Sequence, residues 1–294
     1  MNKRDLFKAS VAGLLATAIA NQSASAHGDV KAGYANINGL KYYYEISGKG
    51  EPLLVLHGGL GSIHMFGMAL PALAEHHQII AVDLHGHGRT QLGKRDISYA
   101  DQGADMAALV SSLGYDQVDV VGYSFGGGVA FQFAVQNAAM VRRLVLVSTP
   151  MAQDGFFPEM LPQQAKVGAA MLPTMKETPM YSSYVAVAPN PDEFPRLLDQ
   201  MGALMREPYD WTADVAKLTM SVMLVYGDSD MIKPEHIVKF YHLLGGGLKD
   251  AGWQREHMSK NRLAILPGVT HYEMSTSPQL TPTVLPFLDG EMAP

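Results

Sequence analysis

Six short apolar runs recur along the chain, at 53–56 (LLVL), 79–82 (IIAV), 118–121 (VDVV), 144–147 (LVLV), 222–226 (VMLVY) and 263–266 (LAIL). Runs of this length, rich in Val, Ile and Leu, fit strands buried on both faces of a parallel sheet. A further β-rich stretch, KYYYEIS at 41–47, ends at Gly48-Lys49-Gly50, a turn signal. Helix-length segments lie between these runs, at 98–113, 125–136, 234–244 and 278–288. Alternating strand and helix predicts a doubly wound α/β sheet with right-handed crossovers.

One stretch breaks the alternation. Residues 150–220 hold Pro158, Pro162, Pro173, Pro179, Pro189, Pro191, Pro195 and Pro208 and no clear strand. That is too long for a loop in a compact domain and predicts a helical insertion. The insertion is rich in Met and aromatic residues, among them Met151, Phe156, Met171, Met175, Tyr184, Met201, Tyr209 and Trp211. Methionine suits surfaces that adapt to varied apolar shapes. Two readings stand: the residues glue the insertion to the sheet, or they form a lid over an apolar pocket.

Composition narrows the class. Of 294 residues, 47% are hydrophobic and 17% charged, which is too apolar for a disordered chain. The formal charge is −6 and the Lys and Arg residues are scattered, so nothing reads as a nucleic-acid footprint. The absence of cysteine removes disulfides, thiolate catalysis and Cys-ligated zinc.

The first residues read as targeting. A basic start, Met1 to Lys8, precedes an uncharged and mostly apolar stretch at 9–20 and the small-x-small site Ala24-Ser25-Ala26. That order describes a bacterial secretory signal over 1–26, the alternative being an ordinary amphipathic N-terminal helix. The stretch is shorter than the ~20 residues needed to span a bilayer. Lys3-Arg4-Asp5-Leu6-Phe7-Lys8 resembles a twin-arginine signal, with Lys where the first Arg usually stands. Cleavage after Ala26 would remove a net +2 and leave a soluble periplasmic or secreted chain, not membrane-bound, near −8.

The candidate chemistry centres on Ser124. Gly122-Tyr123-Ser124-Phe125-Gly126 is a G-x-S-x-G pentapeptide between an apolar run and a helical segment, the strand-turn-helix setting that the motif requires. The tight turn leaves no room for side chains at its flanks, which calls for glycine. A serine hydroxyl needs an adjacent base, and imidazole has the suitable pKa. Of eleven histidines, His271 directly follows a buried run and can hang over the sheet edge. His57 heads a glycine loop and is expected to organise it. His85 and His87 form an H-x-H that reads as a hydrogen-bonded loop or, with a third ligand, a metal site. His64, His76, His77, His236, His242 and His257 are expected on helices or surfaces. The base needs an anion to orient it. Asp228 and Asp230 both follow the run at 222–226, and Asp154 is a weaker candidate after 147.

Five motifs together resemble the α/β-hydrolase superfamily. Leu56-His57-Gly58-Gly59-Leu60-Gly61 is similar to its oxyanion loop, and Asp83-Leu84-His85-Gly86-His87-Gly88-Arg89-Thr90 to its D-x-x-G-x-G-x-S/T loop. Gly122 to Gly126 resembles its nucleophile elbow. Tyr226-Gly227-Asp228-Ser229-Asp230 and Val269-Thr270-His271 match the acid and histidine positions in order, although many members have Gly directly before the histidine. The resemblance runs from about residue 41 to the C-terminus, interrupted by the insertion. It implies an α/β-hydrolase fold, a mostly parallel doubly wound sheet with a helical lid. It also implies a core of 27–149 and 221–294 and a lid at 150–220. The acid it implies is Asp230, the third residue after the strand-ending glycine. The oxyanion donors would be the backbone N–H groups of Gly59 and Phe125.

The resulting expectation is a secreted serine hydrolase that cleaves a small-molecule ester or lactone, with no metal or organic cofactor. Ser124, His271 and Asp230 would form the triad, and the methionine-rich lid favours a bulky apolar substrate. Superfamily epoxide hydrolases and haloalkane dehalogenases use an aspartate nucleophile, which Ser124 argues against. A C–C bond hydrolase or perhydrolase with the same triad is a further possibility, as is a ligand-binding receptor with little turnover.

Overall fold

Alternation of side chains along a strand sends neighbours to opposite faces, and here both faces are covered. Leu54, Leu56, Ile80, Val82, Val120, Leu144, Leu146, Val222 and Leu224 enter one apolar cluster. Their neighbours Leu53, Val55, Ile79, Val121, Val145, Val147, Met223 and Val225 enter the other. The structure, a computed structural model, describes residues 30–291, so the signal segment read over 1–26 lies outside the described residues.

The strands are β1 (Lys31–Ile37), β2 (Leu40–Ser47), β3 (Pro52–Leu56), β4 (Gln78–Val82), β5 (Val118–Tyr123), β6 (Val141–Val147), β7 (Ser221–Ser229) and β8 (Arg262–Thr270). They form one eight-stranded sheet in the order β1-β2-β4-β3-β5-β6-β7-β8. β2 runs antiparallel to both its neighbours, β1 and β4; from β4 through β8 every pairing is parallel. The sheet begins earlier than the reading from residue 41 placed it. β1 and β2 form a hairpin through Asn38-Gly39, both at positive φ (47° and 83°), the geometry of a two-residue hairpin turn.

The longer helices are α1 (Ala69–Ala74), α2 (Tyr99–Ser112), α3 (Phe125–Gln136), α4 (Leu161–Gln164), α5 (Leu172–Met175), α6 (Pro179–Val187), α7 (Phe194–Arg206), α8 (Pro234–Leu243) and α9 (Leu280–Leu288). α4 to α7 lie between β6 and β7, and each carries a proline in its first turn, where the missing N–H costs no helical bond. Within 150–220 the extended pairings are isolated bridges, Ala152 with Asp210 and Phe156 with Ile232. Met151, Met175 and Met201 are buried there, whereas Met180 is exposed. α7 buries Phe194, Leu197, Leu198, Met201 and Gly202. No helix among the described residues is long and apolar enough to cross a membrane.

Candidate active site

Ser124 stands at the turn from β5 into α3 with φ 53° and ψ −116°, a left-handed conformation that is costly for a residue with a side chain. The turn is held because its N–H donates to the Val147 carbonyl at 2.9 Å, while Gly127 and Gly128 N–H donate to the Ser124 carbonyl. The flanking glycines are a packing requirement. A Cβ on Gly122 would lie 2.5 Å from the Gly126 carbonyl oxygen, and one on Gly126 would lie 2.4 Å from the carbonyl oxygens of Leu56 and His57.

His271 follows β8 at the head of a short 3-10 turn and is buried. Thr270 caps that turn: its hydroxyl accepts from the Glu273 N–H, and the Glu273 carboxylate accepts from the Thr270 N–H at 3.2 Å. Tyr123 Oη donates to the His271 carbonyl at 2.6 Å, which ties the turn to the end of β5. His271 Nε2 then lies 3.0 Å from Ser124 Oγ, and Nδ1 lies 2.9 Å from Asp230 Oδ1. A carboxylate only accepts, so Nδ1 carries the proton and Nε2 takes the serine O–H.

Asp230 is buried and its two oxygens are used separately. Oδ1 accepts from His271 and from the Met231 N–H at 2.8 Å. Oδ2 accepts from Ser148 Oγ at 2.5 Å and from the Gly227 N–H at a long 3.5 Å. Asp228 does not reach the imidazole; it is exposed and accepts from the Gly268 N–H at 3.0 Å and from the Ser229 hydroxyl at 3.1 Å. Asp154 is also remote from His271 and pairs with His236 Nδ1 at 3.5 Å.

Sequence reasoning missed Ser148. It lies at the end of β6, fully buried, with φ 50°, and its N–H donates to the Val225 carbonyl on β7 at 2.8 Å. A serine after a strand carries no signal of a partner 82 positions away. Its left-handed backbone brings the hydroxyl onto the free oxygen of Asp230.

Gly59 and Phe125 are brought together. A Cβ on Gly59 would lie 3.6 Å from the Phe125 Cβ, and Phe125 is the first residue of α3, where a backbone N–H has no partner within the helix. The loops beneath them are fixed by buried polar groups. His57 donates through Nδ1 to the Gly58 carbonyl at 2.7 Å and accepts the Leu84 N–H at Nε2 at 3.0 Å. Asp83 accepts from the N–H groups of Ile63 and Arg89, both at 2.8 Å, and from the Arg89 guanidinium at 3.2 Å. The H-x-H pair makes backbone contacts of the same kind, His85 Nε2 to the Leu92 carbonyl at 2.6 Å and His87 Nδ1 to the His85 carbonyl at 2.8 Å. Burial pushes His57 down to about 4 and His87 down to about 3. His77, expected on a helix or the surface, is instead buried in a bend and lies 3.1 Å from Asp289.

An eight-stranded, mostly parallel sheet with a serine at the β5–α3 elbow is the α/β-hydrolase fold. Comparison with known proteins agrees: residues 51–178 match the family model for the alpha/beta hydrolase fold. Among solved structures the chain is similar to a carboxylesterase, CesB, from Bacillus subtilis, with a TM-score of 0.69 and 19% identity over 92% of this chain and 95% of that one. By sequence it is 41% identical over 113 residues to a soluble epoxide hydrolase of Corynebacterium sp. (strain C12), 38% of this chain and 40% of that protein. It is 30% identical over 122 residues to the 2-hydroxy-6-oxo-6-(2'-aminophenyl)hexa-2,4-dienoic acid hydrolase of Metapseudomonas resinovorans, 40% of this chain and 41% of that protein. The matched part thus spans about two fifths of the length of these curated relatives.

Proposed function

We propose that the protein is a serine hydrolase that cleaves a carboxylic ester or lactone through an acyl-enzyme on Ser124. The observation that carries this reading is the continuous relay from Ser124 Oγ through His271 to Asp230, with contacts of 3.0 and 2.9 Å. In the proposed reaction His271 Nε2 takes the serine proton as Oγ attacks the acyl carbon. The N–H groups of Gly59 and Phe125 hold the oxyanion, a contribution of about 3 kcal/mol per donor. Asp230 keeps the Nδ1 proton in place and stabilises the imidazolium. The imidazolium then protonates the departing alcohol, and water enters by the same route in reverse. Residues 1–26 are proposed to export the chain. The likeness to an epoxide hydrolase does not extend this reading to epoxides, because the nucleophile position holds serine.

The likeness to a dienoic acid hydrolase favours one second reading, C–C bond cleavage by the same triad. Turnover separates the two. Purified protein is expected to release p-nitrophenol from acetate, butyrate or octanoate esters, and Ser124→Ala to lose this by on the order of 10⁶-fold. Turnover of a vinylogous diketone with no ester hydrolysis would replace the first reading with the second. No turnover of either class would overturn both.

A further inference from the structure

Two side chains of α7 tie the 150–220 segment to the core, in addition to the ties nearer its ends that involve His236, Met231, Lys233 and Lys260. Gln200 accepts the Ile97 N–H at 2.9 Å and donates to Asp96 at 2.7 Å, so one side chain holds both a backbone and a carboxylate group of the loop before α2. Arg196, one turn earlier, donates to the Gly93 carbonyl. These bonds hold the helix against the loop between β4 and α2. Its apolar face is pressed onto glycines. Leu197 Cδ1 lies 3.2 Å from where a Cβ on Gly86 would sit, and Met201 Cε lies 3.1 Å from where one on Gly59 would sit. Both are tight contacts, in which a Cβ would make the end of the leucine or methionine side chain give by a few tenths of an ångström. Met201 is 1% exposed, although Ser124 itself is not fully buried. The clefts of about 440 and 610 Å³ elsewhere on the molecule do not include Ser124 in their lining. Met201 thus covers the Gly59 loop beside the Phe125 turn that follows Ser124.

We infer that Met201 sets the size of the acyl group this enzyme accepts, an inference that rests on the serine hydrolase reading above. The tetrahedral intermediate has four substituents, and three directions are already assigned. Ser124 Oγ supplies one. The oxyanion points to the N–H groups of Gly59 and Phe125. The leaving alcohol faces His271, which protonates it. The acyl chain takes the remaining direction, away from the imidazole and past the two oxyanion donors. His271 is surrounded by Tyr123, Tyr272, Asp230 and Ser124, whereas the Met201 methyl lies over Gly59, itself packed on the Phe125 Cβ. Met201 is thus on the acyl side. Its neighbours one turn back on the same face, Leu197 and Leu198, are fully buried and carry no polar group. The acyl group it admits is apolar. Because Gln200 and Arg196 fix the helix, entry comes from rotation of an unbranched thioether rather than from lifting α7. Removing the side chain lengthens the acyl pocket, and a rigid ring shortens it.

The test is an acyl-chain series on the full-length protein with Met201→Ala, Met201→Phe and the near-isosteric Met201→Leu. Octanoate and acetate p-nitrophenyl esters give the selectivity ratio in kcat/KM. The labelling rates of a long-chain and a short-chain alkyl fluorophosphonate give the same ratio without turnover. Met201→Ala should raise the long-to-short ratio about tenfold, Met201→Phe should lower it by a similar factor, and Met201→Leu should hold it near that of the wild type. Ratios within about twofold in both Ala and Phe variants would overturn the inference. Labelling without ester turnover would overturn the ester reading alone, and the two probes would still decide on Met201. No labelling in the wild type would overturn both.

Discussion

The turns that carry Ser124, Asp230 and His271 and the segment between β6 and β7 occupy the same end of the sheet but are stabilised in different ways. At the strand ends Ser124, His271, Asp230 and Asp83 all have fixed partners. Asp230 accepts from His271, Met231, Ser148 and Gly227, and Asp83 gathers Ile63 and Arg89 under the glycine loop. Glycines let backbones approach to distances no Cβ would tolerate. The 150–220 segment is made of helices as short as four residues, broken by proline and packed through methionine and aromatic side chains. Bonded turns fix positions to fractions of an ångström, which proton transfer demands. Apolar contacts between flexible side chains tolerate change, and this suits the recognition of substrate shape. The expectation is a separation of effects: strand-end substitutions reduce turnover, and substitutions on the underside of α7 alter selectivity.

The largest contrast lies within one turn. Asp230→Asn should lower kcat by about 10⁴-fold, because an amide favours the wrong histidine tautomer. Asp228→Asn, two residues earlier and exposed, should stay within about twofold. Steady-state kinetics of the two variants decides it, and equal losses would break the assignment of the acid.

Ser148 sharpens the comparison further. Ser148→Ala and Ser148→Gly both remove the donor to Asp230 Oδ2, and each should lower kcat about tenfold or more, the range for a hydrogen bond to a charged group. The two should differ in stability. Alanine keeps a Cβ at φ 50°, whereas glycine adopts that conformation freely, so the glycine variant should be the more stable by about 1 kcal/mol. Urea unfolding beside kinetics separates the role of the hydroxyl from that of the backbone. Full activity in either variant would show that Asp230 needs no second anchor.

The glycine loops also predict a pH dependence of stability. An unfolded chain protonates His57 and His87 near 6.5, whereas burial holds them neutral in the fold down to about 4 and about 3. Between those values the unfolded state binds more protons, so stability is lost as the pH falls through this window. Going from pH 7 to pH 5 should cost about 2 kcal/mol for each histidine, measured by urea unfolding at the two pH values. A flat profile would mean that the loops admit water.

How far the sequence foretold these features follows from the same physics. Strands buried on both faces leave continuous apolar runs, so β3 to β7 were legible, and α3 lies at 125–136 as its segment predicts. β1 escaped because an edge strand with one exposed face leaves only an alternating pattern, KAGYANI, whose clearest marker is the Asn38-Gly39 turn. β8 extends to Thr270, past Pro267-Gly268, because an edge strand tolerates a missing donor there. Ser124 was legible because it follows directly on a run that the sheet buries. The run before His271, expected to be buried on both faces, is instead the partly exposed edge strand β8, with Ile265 46% exposed, and His271 was legible only from its place after that run. Choosing between Asp228 and Asp230 needed the family resemblance, since two carboxylates two positions apart share the same local signal. Ser148 and Met201 were beyond reach as partners: the contact of each is set by packing across the fold, not by neighbours in the chain.

The central claim is that Ser124 is an activated nucleophile. The direct measurement is to treat the purified protein with a fluorophosphonate, digest it and locate the adduct by peptide mass spectrometry. One adduct is expected, on the peptide carrying Ser124, absent in Ser124→Ala and strongly slowed in His271→Ala. An unlabelled protein, or an adduct on another serine that persists in Ser124→Ala, would contradict it.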